Sequence, residues 1–202
     1  MLRRALLALT ALACLPAAQA APAVGQAAPD FTLKDTTGRT VKLSDYRGKY
    51  VVLEWTNPGC PYVKKHYNSS NMQATQQDAI GKGAVWLSIN STNETAWDYM
   101  EPGKFVAWQQ EKKARPTATL MDEEGTVGRA YGARTTPHMY IVDPQGGLVY
   151  AGGIDSIPSS SPDDIPKAVN YVKQGLGEAM AGKPVSQATT RPYGCSIKYK
   201  SA

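Results

Sequence analysis

Glu54-Trp55-Thr56-Asn57-Pro58-Gly59-Cys60-Pro61-Tyr62-Val63-Lys64-Lys65-His66-Tyr67 is the stretch on which the fold turns. Residues 50–55 are aromatic, β-branched and apolar, the pattern of a strand buried on both faces. Asn57-Pro58-Gly59 interrupts that strand, and Pro61 suits the first turn of a helix, where its missing N–H has no partner to lose. Cys60 is therefore predicted at a helix N-terminus, where free N–H groups and the positive end of the helix dipole favour a thiolate over a thiol. A cysteine that only filled space would need neither the turn nor the proline. Cys60 is the candidate nucleophile.

Working outward, strand and helix signals alternate, which points to an α/β domain. Upstream, 28–33 reads as a short edge-like strand, 35–39 as turn chemistry and 40–43 as the returning arm of a hairpin. The helix opened by Pro61 is predicted to run to about residue 80, and 84–90 is a second buried strand. Residues 104–113 have helical spacing, 118–122 form a strand, and 126–131 form a short helix ending at Gly132. Thr135-Thr136-Pro137-His138 introduces a strand whose antiparallel partner is 148–151. A last helix, 165–181, is capped by Asp163 or Asp164.

The N-terminus reads as a secretory signal peptide: Arg3-Arg4, an apolar run, then Ala18-Gln19-Ala20 as a small-x-small cleavage site. Three segments are expected: signal 1–20, domain 21–182, and tail 183–202 carrying Cys195. Removing 20 residues from 202 leaves 182, enough for one well-cored domain. Arg3 and Arg4 leave with the signal, taking 22 basic residues to 20 against 17 acidic ones. An excess of three is too small to argue for nucleic acid or an anionic membrane as partner. Export, with a periplasmic destination, leaves two cysteines, Cys60 and Cys195, where disulfides persist.

Together these blocks resemble the thioredoxin fold: a central mixed β-sheet flanked by helices, with an N-terminal β-hairpin and a C-terminal tail. More narrowly, Ala28-Pro29-Asp30-Phe31, the Cys60 block, Ala130-Tyr131-Gly132 with Thr135-Thr136-Pro137-His138, and Arg191-Pro192-Tyr193-Gly194-Cys195 look like a bacterial peroxiredoxin-like group. That group lies within the redoxin superfamily of alkyl hydroperoxide reductases and thiol-specific antioxidants. The resemblance implies a catalytic Cys60, a cis bond at Pro137 facing it, and Cys195 as a distant resolving thiol. Thr56, Asn57, Pro61, Tyr62, Pro137 and His138 are the supporting residues; His138 either faces the thiol or alternates away from it.

The motif departs from both patterns it resembles. Val63 stands where thioredoxins carry their second cysteine, and Asn57 stands where peroxiredoxins carry a hydroxyl, with Leu53 in place of the motif's proline. His66 reads as a surface or satisfied histidine rather than a base, and Lys64-Lys65 as a solvated pair. The leading expectation is an exported thiol oxidoreductase without cofactor or resident metal, acting on a peroxide or a disulfide and reset by an external thiol reductant. Two alternatives remain open: a copper-binding assembly protein of the same fold, and a redox-inert scaffold stapled by a Cys60–Cys195 disulfide.

Overall fold

A computed structural model describes residues 21–201. The expected signal peptide, 1–20, lies outside the described residues. In chain order the elements are β1 (Thr32–Asp35), β2 (Thr40–Lys42), a 3-10 turn (Leu43–Tyr46), β3 (Val51–Trp55), α1 (Pro61–Asn68), α2 (Asn71–Gly81) and β4 (Val85–Asn90). There follow α3 (Pro102–Glu111), β5 (Ala118–Met121), α4 (Thr126–Tyr131), β6 (Thr135–Thr136), β7 (His138–Val142), β8 (Leu148–Gly152), a second 3-10 turn (Pro162–Lys167), α5 (Tyr171–Met180) and β9 (Cys195–Ser196).

Among the described residues, seven strands form one mixed sheet in the order β2-β1-β5-β4-β3-β7-β8. β3, β4 and β5 run parallel, and the outer strands pair antiparallel. Strand alternation sends Leu53, Trp55, Leu87, Ile89 and Tyr140 to one face, where they meet Tyr131 of α4. Val52, Trp86, Met139 and Ile141 point to the other, under Val63 and Tyr67 of α1, Met72 of α2, and Val172 and Leu176 of α5. Covered on both sides, β3 and β4 are buried along their whole length, which is why they read as continuous apolar runs.

The structure corrects several boundaries. The cysteine helix does not continue to residue 80: the Ser69 hydroxyl donates to the Lys65 carbonyl at 2.7 Å and Ser70 takes φ +61°, so α1 ends and α2 starts afresh. The strand predicted over 28–33 is β1, shifted to Thr32–Asp35 and interior between β2 and β5; its hairpin partner β2 takes the edge. The last helix begins later than expected. Asp163 and Asp164 open a 3-10 turn interrupted by Pro166, and α5 is capped by Asn170, whose side chain accepts from Lys173 N–H at 3.0 Å.

The tail crosses the molecule as an extended strap. It pairs first with β8, through Ala151 N–H to Ala188 O (3.0 Å) and Thr190 N–H to Ala151 O (3.1 Å). It then forms β9 against β6, with Cys195 opposite Thr136. Gly194 makes this approach possible: at φ +142°, a Cβ there would lie 2.0 Å from the Thr136 carbonyl oxygen. Farther on, Asn93 N–H donates to Lys198 O at 2.8 Å, and the Tyr199 hydroxyl donates to Ala133 O at 2.8 Å.

Candidate active site

Cys60 is the N-cap of α1, in extended backbone with φ −75° and ψ 126°. The turn before it closes through Cys60 N–H to Asn57 O at 3.0 Å. Its side chain is 2% exposed. The thiol donates to the Thr136 carbonyl at 3.1 Å, and the following Thr136–Pro137 peptide is cis, as the family resemblance implied. Since Cys195 is the ladder partner of Thr136, whose carbonyl accepts from the Cys60 thiol, the strap brings the second cysteine beside the first. Burial, then the neighbouring Cys60, pushes Cys195 up to about 12, with Lys198 opposing. At neutral pH Cys195 is thus a thiol, and both cysteines stand free.

The supporting residues fall into three groups. Pro61 and Tyr62 open α1, and the half-buried Tyr62 ring meets Tyr193 of the strap edge-on at 5.8 Å. Asn57 is fully engaged in shaping the loop: its amide donates to Thr92 Oγ1 at 2.9 Å and Asp98 Oδ2 at 3.3 Å, and its carbonyl accepts from Gly59 N–H at 2.7 Å. Thr56 is buried, and its Oγ1 has no hydrogen-bond partner among the described residues. His138 is not part of this surface. It alternates to the opposite face of the sheet, stacks on Tyr140 at 4.5 Å and accepts from Arg134 N–H at 3.3 Å.

Two features escaped the sequence. Glu54 is wholly buried on the Cys60 side of β3, where its carboxyl accepts from Tyr67 Oη (2.7 Å), Trp86 Nε1 (2.8 Å) and Ser88 Oγ (3.0 Å); burial raises its pKa. A charged residue inside an otherwise apolar strand was the available signal. The second is a polar cluster beneath the strap. Lys65, expected to be solvated, is 2% exposed and paired at 3.4 Å with Asp155, itself 4% exposed. Lys64 and Lys65 stand about 100° apart around the helix, so the exposed Lys64 and the buried Lys65 fall on different faces of it. The Tyr193 hydroxyl donates to the other Asp155 oxygen.

His66 completes the cluster. Asn71 Nδ2 donates to its Nδ1 at 2.8 Å, which leaves the proton on Nε2, 3.2 Å from Tyr193 Oη and 3.8 Å from Asp155 Oδ2. Burial lowers His66 to about 4 against the pull of Asp155, and burial lowers His138 to about 3. Both rings are expected to stay neutral from pH 8 to 5, with imidazole NMR shifts flat across that range. A ring titrating near 6.5 would contradict its burial. The linkage sign follows: each depressed histidine contributes stability that is fully present above pH 6.5 and lost as pH falls toward about 4 and 3.

Among the described residues no group of three or more His, Cys, Asp and Glu side chains is arranged to hold a metal ion. Both imidazoles already have partners, His66 in Asn71 and Tyr193 and His138 in Arg134. Along the strap lies a cleft of about 550 Å³ walled by Tyr62, Thr135, Asp155, Arg191, Tyr193 and Gly194. No helix among the described residues is long and apolar enough to cross a membrane.

Known proteins similar to this chain include a peroxiredoxin and thiol-disulfide oxidoreductases. The peroxiredoxin Bcp of Bacillus subtilis (strain 168) is 34% identical over 112 residues, 54% of this chain and 62% of that protein, so the chain spans less than two thirds of its relative. The thiol-disulfide oxidoreductase ResA of Geobacillus thermodenitrificans (strain NG80-2) is 29% identical over 133 residues, 62% of this chain and 67% of ResA. A crystal structure of a hypothetical protein from Sinorhizobium meliloti 1021 matches the fold with a TM-score of 0.78 at 23% identity, over 91% of this chain and 98% of that one. Thioredoxin-type domains of disulfide oxidoreductases share the fold as well. The model of the AhpC/TSA family matches residues 24–151, a span that holds Cys60 and Pro137 but stops short of Cys195. On that match and this thioredoxin-like architecture, the chain belongs to the AhpC/TSA family.

Proposed function

We infer that the protein is an exported two-cysteine thiol oxidoreductase in which Cys60 is the nucleophile and Cys195 the resolving thiol. The observation that carries this reading is the juxtaposition of the two cysteines at Thr136, which accepts from the Cys60 thiol and pairs with Cys195 in the β6–β9 ladder. A hydroperoxide gives up one oxygen to the Cys60 sulfur, leaving an alcohol or water and a sulfenic acid. Cys195 then forms the disulfide, and its thiol proton leaves with the sulfenic hydroxyl as water. With a small disulfide, Cys60 displaces one thiolate and Cys195 the other. An external dithiol returns the pair to the reduced state.

The burial of Cys60 favours a small oxidant over the disulfide of a folded protein while β9 is in place. Residues 1–20 support delivery across the inner membrane to the periplasm. The test is stoichiometric. Fully reduced protein receives one equivalent of hydrogen peroxide or glutathione disulfide, followed by intact mass and a non-reducing peptide map. The expected product has lost two hydrogens and carries a Cys60–Cys195 cross-link. A sulfinic acid or a persistent mixed disulfide at Cys60, with Cys195 still open to alkylation, would overturn the reading.

A further inference from the structure

The β6–β9 ladder is two residues long and is continued by two single backbone bonds, Ile197 N–H to Arg134 O at 3.0 Å and Asn93 N–H to Lys198 O at 2.8 Å, a short run of pairing for an extended tail. Two side chains flank it. Before Cys195, Tyr193 sets its hydroxyl on the buried Asp155 and its ring against Tyr62, with the Lys65 ammonium 5.6 Å from the ring centroid. After Cys195, Lys198 pairs with Asp98 and sits 4.7 Å from the centre of the Trp97 ring. Neither receptor is incidental surface. Lys65 and Tyr62 belong to the helix that Cys60 caps, and Asp98 is bound by the amide of Asn57, in the turn that leads into Cys60.

We propose that Tyr193 and Lys198 are positioning residues that peg the strap on both sides of Cys195, holding its thiol against Cys60 and closing Cys60 to bulk reagents. This rests on the two-cysteine reading and adds a gate to it. With both pegs seated, only a small oxidant reaches Cys60. A larger thiol or disulfide waits for the strap to lift, and lifting separates the two sulfurs at the same moment. Each peg is a hydrogen bond or ion pair to a carboxylate, the stronger class of such contacts. Losing one is expected to raise the open population about tenfold.

Alkylation of Cys60 reports that population directly. Reduced protein carrying Cys195→Ser is exposed to iodoacetamide alone, with Tyr193→Phe and Lys198→Met added singly and together, and Cys60 labelling is followed by peptide mass. The expected result is a labelling rate about tenfold higher for each single variant and higher again for the pair, unchanged by mild urea, as local opening requires. In the background that retains Cys195, the double variant is expected to hold the Cys60–Cys195 disulfide less tightly against a glutathione buffer. Unchanged labelling in both single variants would overturn the proposal, as would acceleration that follows urea and so reports global unfolding. Tyr193→Phe keeps the ring and Lys198 is remote from it, so a folding defect in one leaves the other decisive. If wild-type protein forms no Cys60–Cys195 disulfide, the two-cysteine reading fails, while the labelling rates still decide whether the pegs close the strap.

Discussion

Cys60→Ser is expected to abolish reduction of peroxide and disulfide substrates, lowering turnover by roughly a thousandfold or more, because a serine hydroxyl is not ionised at neutral pH and is a poor nucleophile without a base. None is at hand: the Cys60 thiol faces the Thr136 carbonyl, His138 lies on the other face of the sheet, and Asn71 and Tyr193 occupy His66. Cys195→Ser is expected to behave differently. Cys60 should react once with peroxide at an undiminished rate and then stop as a sulfenic acid, trapped by dimedone and overoxidised by excess peroxide. Steady-state turnover with a dithiol reductant should fall, and single-turnover oxidation should not.

The same pair of variants separates a cycling couple from a structural staple. A permanent bridge closing so long a loop would contribute about 5 kcal/mol in the chain-entropy model, and either serine variant would forfeit it. In a cycling couple, the reduced wild type and the two variants should unfold at similar denaturant concentrations, and a glutathione buffer of ordinary poise should open the disulfide. Resistance of the bridge to that buffer, with a large loss of stability in both variants, would establish the staple and remove the enzymatic reading.

How much of this was legible in the sequence depended on how local each signal was. The strand before Cys60, the helix start at Pro61 and the short helix ending at Gly132 were written in neighbouring residues, and the structure keeps them in place. The break at Ser70 was missed because serine favours caps and turns without fixing where a helix ends, and the late start of α5 because Pro166 leaves the segment after Asp163 and Asp164 as a 3-10 turn. The juxtaposition of the cysteines had no local signature: it depends on a two-residue ladder and on a glycine whose missing Cβ lets the strap approach Thr136. The direction of His138 needed the register that sets it beside Trp55. The inward turn of Lys65 needed Asp155, which arrives from beyond β8.

That buried pair gives the second large effect. Lys65→Met is expected to lower the unfolding free energy at pH 7 by about 3 to 5 kcal/mol, since the methionine fills the space of the stem and leaves the Asp155 carboxylate without its cation. The hydroxyl of Tyr193 and the Ile157 N–H, 3.1 Å away, still bond Asp155, but neither carries charge. Lys65→Met combined with Asp155→Leu should recover much of the loss, because removing both charges also removes the need to desolvate them. The deficit should depend on pH. His66 is lowered by burial first and by Lys65 as well, while Asp155 raises it. Without Lys65 its pKa must rise, so the folded variant binds more protons than the folded wild type as pH falls. By linkage the variant then loses less stability on acidification, and the gap between the two proteins narrows from pH 7 toward pH 5 as imidazolium takes over as the counter-ion of Asp155. Urea unfolding of both proteins at the two pH values measures this. A deficit below about 1 kcal/mol would mean that Lys65 only fills space, and a deficit independent of pH would show that His66 does not couple to Asp155.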